Sequence, residues 1–440
     1  MDSVISKRKK LLKTDENISS KKLIKNIKNN IYAKSSYFFN IIIIQFFFIL
    51  LPKKILSENY PYYITLKVNK EGYNQIISSS YTGTLPSIFF INEVQNIFRD
   101  RTIYIFDKNA EIKLVWNSYI NSLKYMFSNL DNIISIHMNN IYYGNCNMSY
   151  LCHNCINLKK FTYATTYTNS YQVTDVRNMF YNCYSLTSFD FSYIYLDYNS
   201  RAYHSTNTSS YYTYTYSDIN MSYAFYNCQK LSLINFGSKN YAYVYDMRYM
   251  FYNCSLLPSI NATNFIFNSY VNSSYMFYNC QSLKNIALPN NFRTNDMRWM
   301  FYNCKELISL NSFYISSIIQ YINISYAFKN CEKLASIPAD FQKNYISDTK
   351  EAFYNCILLN SISFTIYSSM TSLNMSKMFY NCKSIQSITL TNRNSYFYPN
   401  DVNSMFYNCN SLKSLYLNKF DINKVVNMSY MFYNCIKLSN

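Results

Sequence analysis

Cysteine is the residue type with the most evident chemistry in this chain, which has thirteen cysteines and three histidines in 440 residues. Cysteines in such number could form disulfides, bind a metal or supply a nucleophile. Ten of them, however, end a repeated Phe-Tyr-Asn-Cys tetrapeptide, and only one copy differs, with Lys329 in the tyrosine's place. The ten cysteines stand at positions 183, 228, 254, 280, 304, 331, 356, 382, 409 and 435. Their spacing, 24 to 27 residues after a first step of 45, indicates a repeat array.

The regular spacing predicts a structural role for these cysteines. Equivalent positions in successive coils should form an internal column of small apolar side chains. Neighbouring coils about 4.8 Å apart are close enough for disulfides, but parallel side chains in a stack rarely adopt the required dihedral angle. We therefore predict free, buried thiols.

A second cysteine group has the residue types of a metal site. Cys146, Cys152, His153 and Cys155 lie close together in the sequence. A closed zinc site needs four well-placed ligands, and the run from Cys152 to Cys155 already fits a degenerate copy of the repeat. We predict no metal and no cofactor here.

No constellation of residues predicts an enzyme. The four glycines provide no phosphate-binding loop and no dinucleotide fingerprint. His137 and His204 have no companions in the sequence that suggest acid–base or nucleophilic catalysis. We expect a non-enzymatic protein.

The elements that carry the repeat follow from its apolar spacing. Apolar residues three, four and seven positions before the cysteine predict one face of a short helix. After the cysteine, residues such as Leu283, Ile286 and Leu288 end in a two-residue period, which predicts a strand. The asparagine before each cysteine should bond backbone groups of the bend and tie neighbouring coils. Residues 121–440 are therefore predicted to form an α/β solenoid of the leucine-rich-repeat type, with about 11–12 coils that each contribute a short parallel strand and a short helix.

The first 120 residues divide into three parts. Residues 1–35 are basic and contribute +7 of the net charge of +18, which predicts a disordered region. Residues 36–52 contain the apolar run Tyr37–Leu51, which is shorter than the about 20 residues of a membrane span and is typical of a signal peptide or signal anchor. A buried helix is the alternative for this run. Either form of signal would place the repeats outside the cell.

Residues 58–120 are predicted to form a β-rich cap over the first coil. Ile64, Leu66 and Val68 alternate with polar residues, as in a half-buried strand. Two further apolar runs, 103–106 and 112–116, are predicted to pair as a hairpin. Near 198–216 the array contains an insertion rich in Ser, Thr and Tyr, which is interpreted as a binding loop, a decayed repeat or a tolerated insertion. No polar closing cap follows the last repeat, so we expect a fragment, a frayed end or self-association there.

The best copies of the repeat resemble a known family. Leu412–Leu438, with its Met-Ser-Tyr-Met-Phe-Tyr-Asn-Cys run, is similar to the 26-residue repeat of bacterial surface proteins in the BspA-like leucine-rich-repeat family. The resemblance covers residues 121–440. It implies a surface-exposed or secreted protein that mediates adhesion, host-matrix binding or cell–cell binding.

The candidate ligand-binding surface is the column of tyrosines in the repeat together with the insertion. Stacked tyrosines offer rigid, amphipathic contact area, although they could also only shield the edge of the core. The predicted residues are Tyr181, Tyr226, Tyr252, Tyr278, Tyr302, Tyr354, Tyr380, Tyr407 and Tyr433 in the column, with Tyr211, Tyr212 and Tyr214 in the insertion. The expected partner is a protein or glycan on another cell or matrix, with membrane anchoring through 37–51 as a further possibility. A specific nucleic-acid partner is not expected, because no nucleic-acid motif accompanies the charge. The alternative function is a structural, self-assembling envelope protein without a specific ligand.

Overall fold

The computed structural model describes residues 62–139, 145–164, 171–192, 194–195, 199–205, 210–216, 219–237, 244–265, 270–289, 292–310, 321–338, 345–366, 373–392 and 396–439. All of these belong to one compact unit, Glu58–Asn440. The predicted basic region and the apolar run 37–51 lie outside the described residues. Among those described, no helix is both long and apolar enough to cross a membrane.

The described secondary structure consists of strands and turns. The strands in chain order are β1 (Tyr63–Val68), β2 (Gly72–Gln75), β3 (Ile88–Ile91), β4 (Val94–Ile97), β5 (Thr102–Ile105), β6 (Glu111–Val115), β7 (Ile133–Asn139), β8 (Asn145–Asn147), β9 (Lys160–Tyr163), β10 (Tyr171–Asp175), β11 (Ser188–Asp190), β12 (Ile194–Tyr195), β13 (Asn199–Ser205), β14 (Ser210–Tyr216), β15 (Ile219–Asn220), β16 (Leu233–Asn235), β17 (Val244–Asp246), β18 (Ser259–Asn261), β19 (Val271–Asn272), β20 (Asn285–Ala287), β21 (Thr294–Asp296), β22 (Tyr321–Asn323), β23 (Tyr345–Asp348), β24 (Ser361–Ile366), β25 (Leu373–Asn374), β26 (Ser387–Thr391), β27 (Pro399–Asp401) and β28 (Ser414–Leu417).

The N-terminal β unit is continuous with the first coils. Strand β1 buries Ile64, Leu66 and Val68, as their alternation predicts, and pairs antiparallel with β6 and β7. The resulting sheet runs in the order β4-β3-β6-β1-β7-β9. The predicted hairpin between 103–106 and 112–116 is wrong, because β5 pairs with β2 in a separate sheet while β6 lies between β1 and β3. The capping role of this unit stays a prediction.

The array itself is a parallel-strand solenoid. An unbroken run of parallel partners joins β8, β10, β15, β17, β19, β21, β22 and β23, one strand from each coil. This run comprises about eight coils rather than 11–12, although the repeating turn is found from 125–129 to 430–434. A second set of short parallel strands follows the cysteines, as the apolar spacing predicts, in pairs such as β18–β20 and β26–β28.

The predicted short helix before each cysteine is replaced by consecutive turns. Within the coil of Cys280, the N–H groups of Met276, Tyr278 and Cys280 each donate to the carbonyl three residues earlier. The N–H groups between them belong to Tyr275, Phe277 and Asn279, and these donate to carbonyls of the next coil. A helix would need every N–H to bond within its own segment. The spacing that suggested a helix therefore arises from turns that share their hydrogen bonds with a neighbouring coil.

The core runs through the array as two columns. The phenylalanines of the repeat stack on one another, with Phe277 at 5.5 Å from both Phe251 and Phe301 between ring centroids. The cysteines lie beside them and are fully buried from Cys183 to Cys409. One coil alone cannot bury these side chains, so the stack is the stable unit.

The insertion near 198–216 forms a β-hairpin rather than a loop. Strands β13 and β14 pair antiparallel over seven residues each, with Tyr203 opposite Tyr212. They form a two-stranded sheet of their own. The alternating Tyr and Thr of β14 favour a strand, because aromatic and β-branched residues fit a pleated surface.

Candidate binding surface

The asparagine of each repeat shapes the surface of the turns. Asn253, Asn279 and Asn303 have φ values of 59°, 60° and 60°, in the left-handed region that asparagine tolerates better than most residues. Their side chains form a ladder in which Asn279 Nδ2 donates to Asn253 Oδ1 at 2.6 Å and Asn303 Nδ2 donates to Asn279 Oδ1 at 2.5 Å. The predicted tie between coils is thus made by side-chain amides, and these amides are half-buried rather than enclosed.

The predicted tyrosines next to these asparagines stack as a row, which we call the tyrosine row. Tyr226 and Tyr252 lie 4.6 Å apart with an interplanar angle of 9°, and Tyr252 and Tyr278 lie 4.6 Å apart at 4°. Tyr181 and Tyr302 continue this part of the row, and Tyr354, Tyr380, Tyr407 and Tyr433 form a second part. Each ring covers the faces of its neighbours, so the surface presents ring edges and hydroxyl groups.

A second aromatic row lies beside the first and was missed from the sequence. It occupies the position five residues before the cysteine, where the backbone is again left-handed. Tyr223, Tyr249 and Tyr275 stack at 4.7 Å and 4.5 Å, and Trp299 stacks on Tyr326 at 4.0 Å. The two rows touch within each coil, for example Tyr249 and Tyr252 at 5.8 Å. The signal was present in the repeat, but Asn178, Glu351, Lys377 and Ser404 interrupt it.

The two rows form one surface, which we call the turn face. It consists of the residues two and five positions before the cysteine in the coils that contain Tyr223 to Tyr326. Burial, together with the neighbouring tyrosines, raises the pKa of Tyr226 and of Tyr278 to about 12. Their hydroxyls, like those of ordinary tyrosines, are protonated at neutral pH and can donate hydrogen bonds, and the raised pKa extends this state to more alkaline pH.

A charged group ends the turn face. Lys329 replaces the tyrosine, lies 4.5 Å above the Tyr354 ring and forms an ion pair with Glu351. Glu351 itself occupies the second aromatic row, so both rows are broken at the same place. Tyr302 and Tyr354 thus belong to separate parts of the predicted column. The remaining predicted residues, Tyr211, Tyr212 and Tyr214, lie on β14, opposite His204, Tyr203 and Arg201 in its backbone register.

The cysteines contribute no chemistry to this surface. Cys280 Sγ donates to the carbonyl of Phe251 in the preceding coil at 3.0 Å, and burial raises the pKa of its thiol. In the group of Cys146, Cys152, His153 and Cys155, His153 stacks on Tyr181 at 4.9 Å and so takes a tyrosine's place in the row. Within the described part of the chain, no group of three or more His, Cys, Asp or Glu residues could hold a metal ion.

The repeat geometry agrees with a comparison of the sequence with known families. A family model described as BspA type Leucine rich repeat region matches in six copies, over residues 149–271, 177–308, 247–349 and 300–439. The chain belongs to the BspA-type leucine-rich-repeat family. No curated protein matches the chain.

Three solved structures resemble this BspA-type chain weakly. A TLR13–ssRNA13 complex has 16% identity, a TM-score of 0.30 and coverage of 67% of this chain and 38% of that one. A leucine-rich-repeat protein of Leptospira interrogans has 12% identity, a TM-score of 0.26 and coverage of 63% and 66%. A leucine rich cell surface protein from Faecalibacterium prausnitzii has 12% identity, a TM-score of 0.28 and coverage of 71% and 87%. The chain thus spans less than two thirds of the first two, and similarities of this size carry no argument about function.

Proposed function

We propose that this BspA-type protein is an exported or surface-displayed binding protein that mediates adhesion through its turn face. The observation that carries the proposal is the pair of aromatic rows from Tyr223 to Tyr326, which lie side by side on one surface. Their rings are held by stacking, so little side-chain entropy would be lost on contact with a partner. Tyr and Trp are also the residues enriched where binding energy concentrates in interfaces.

The second aromatic row is not needed to fill the core, and this supports the proposal. The phenylalanine and cysteine columns already fill the interior, with Phe251 and Cys254 fully buried. The second row adds Tyr249 and Trp299 outside that core, at left-handed positions where an aromatic side chain gives no backbone advantage. A purely structural coil would be served equally well by asparagine, as at Asn178.

Surface display is tested by protease treatment of intact cells that express the full chain. We expect the repeats to be digested while a cytoplasmic control protein remains intact. Survival of both the repeats and the control would contradict display.

Binding through the turn face is tested with the double variant Tyr249→Asn/Trp299→Asn, which copies the residue that the chain itself carries at position 178. Adhesion of the purified protein to cells and to immobilised matrix should fall at least tenfold, as expected when two aromatic anchors are lost. The matched control is Tyr73→Asn, which alters an exposed tyrosine on β2 outside the array. Equal adhesion by the wild type and the double variant would refute the role of the turn face. Loss of adhesion in the control would point to a general effect of removing tyrosine.

A further inference from the structure

The residue eight positions before the cysteine follows a two-coil alternation. It is Asn in one coil and Asp in the next, without exception from the coil of Cys155 to that of Cys435. Each Asn is followed two residues later by Ser, and each Asp by Arg, Lys or Asn. The pairs are Asn147/Ser149, Asp175/Arg177, Asn220/Ser222, Asp246/Arg248, Asn272/Ser274, Asp296/Arg298, Asn323/Ser325, Asp348/Lys350, Asn374/Ser376, Asp401/Asn403 and Asn427/Ser429.

Both kinds of pair close the same local turn. Asn220 Oδ1 accepts hydrogen bonds from Ser222 N at 2.8 Å and from Ser222 Oγ at 2.6 Å. Asp246 Oδ1 accepts from Arg248 N at 3.1 Å, and its Oδ2 lies 3.0 Å from Arg248 Nε. The Asn–Ser pair therefore suffices for the turn, and the fold alone does not require the Asp–Arg pair.

The Asp–Arg coils expose the cation and cover the anion. The side chains of Arg177, Arg248 and Arg298 are 43%, 48% and 53% exposed. Their partners Asp175, Asp246 and Asp296 are only 14%, 7% and 16% exposed. A partner that approaches this surface meets guanidinium groups on alternate coils, about 10 Å apart at two strand spacings.

Two of these guanidinium groups border the turn face, because Arg248 directly precedes Tyr249 and Arg298 directly precedes Trp299, and Arg177 lies in the coil before that face. Arg248 and Arg298 lie close enough to the second aromatic row to oppose the rise in the pKa of Tyr249 and of Tyr275, respectively. The combined surface repeats a hydroxyl and an amide in every coil and a cation in every second coil. The stacked tyrosines have no free ring faces, which argues against single-stranded nucleic acid, whose bases bind by stacking on such faces.

We infer that the turn face and its bordering arginines bind a linear acidic glycan that carries an acid group on every second sugar. This inference rests on the proposed function and names the class of its partner. An extended pyranose chain advances by a distance close to one coil per sugar. Its hydroxyls can bond the tyrosine and asparagine rows in each coil, and its acid groups can bond the guanidinium N–H groups that face away from the aspartates.

The test uses the full chain and a variant that converts three Asp–Arg coils to the Asn–Ser type: D175N/R177S, D246N/R248S and D296N/R298S. The variant keeps the Asx turn that neighbouring coils already use, and circular dichroism and the urea midpoint verify its fold. The basic residues 1–35 are identical in both proteins, so they cannot account for a difference between them. The probes are hyaluronan oligosaccharides, with a uronate on every second sugar, neutral chitin oligosaccharides, and a polyuronate with an acid on every sugar.

We expect the wild type to bind hyaluronan oligosaccharides more tightly than either other probe. The converted variant should bind hyaluronan at least tenfold more weakly, as loss of charge-assisted hydrogen bonds implies. Equal affinity of the wild type and the converted variant for hyaluronan, or equal affinity of the wild type for the polyuronate, would overturn the inference. If adhesion is lost in Tyr249→Asn/Trp299→Asn but is unchanged in the converted variant, the glycan inference fails while the proposed function stands.

Discussion

Replacement of Asn279 separates the two roles of the repeated asparagine. Its backbone is left-handed, with φ of 60°, and its amide donates to Asn253 and accepts from Asn303. In Asn279→Ala the left-handed backbone costs about 1–2 kcal/mol. The two lost ladder hydrogen bonds cost about 1 kcal/mol each. The third bond, which Asn279 Oδ1 accepts from Gln281 Nε2 at 2.9 Å, is exposed to solvent and adds little. We therefore expect the free energy of unfolding to fall by about 3–4 kcal/mol. In Asn279→Gly the backbone cost disappears, and the expected loss is about 2 kcal/mol.

Urea unfolding measures these differences, and hydrogen exchange locates them. Because a repeat array is stabilised by contacts between neighbouring coils, faster exchange should be confined to the coils of Cys254, Cys280 and Cys304. The matched control is Asn285→Ala, at an exposed position of β20, where a change of less than about 0.5 kcal/mol is expected. Equal destabilisation by Ala and Gly at position 279 would refute the backbone argument. A fully stable Asn279→Gly would refute the amide ladder.

Three further predictions concern the tyrosine row and the cysteine column. Lys329→Tyr should lower the free energy of unfolding by about 2 kcal/mol, because Glu351 loses its cation partner. The double variant Lys329→Tyr/Glu351→Gln removes the unpaired carboxylate and should recover most of that loss, as measured by urea titration. The free energy of unfolding should decline as the pH rises from 10 towards 12, because Tyr226 and Tyr278 lose their protons at lower pH in the unfolded chain than in the folded one. Alkaline unfolding followed by tyrosine absorbance measures this decline. A constant free energy of unfolding over that range would contradict it. Iodoacetamide should label Cys435, which is half-buried, before any fully buried thiol, and mass spectrometry that finds native labelling spread evenly over the column would contradict this.

The repeat could be predicted from the sequence because identical positions recur with the same burial. Phe277, Cys280 and Leu283 are all fully buried, and the apolar spacing after the cysteine does form strands. The helix could not be distinguished from consecutive turns, since both place residues such as Met276 and Phe277 on one side. What separates them is the bonding of Phe277 N to Met300 O in the next coil, and a single coil's periodicity does not contain that information.

Only one of the two aromatic rows of the candidate surface was predicted from the sequence. The tyrosine row has one exception in the repeat, Lys329, and was found from recurrence alone. The second row is interrupted by residues such as Asn178 and Glu351, so recurrence did not identify it. The residue eight positions before the cysteine alternates between Asn, as at Asn220, and Asp, as at Asp246, with a period of two coils. A comparison of every coil with a single consensus does not reveal a period of two coils. Ring contacts across coils were needed to recognise the second row, and comparison of alternate coils was needed to recognise the alternation.

The hydrogen bonds along the turns give the array a polarity. Asn253 N donates to Tyr278 O in the next coil, and Asn279 N donates to Tyr302 O in the same direction. The backbone of these turns therefore offers N–H groups towards the next coil, whereas Asn279 Nδ2 and Cys280 Sγ donate to the preceding coil. Two segments of this kind that met with like sides together would oppose donor to donor or acceptor to acceptor. For these turn backbones, complementary end-to-end contact runs from head to tail, which is the heterologous geometry that extends into filaments and does not close as a symmetric pair.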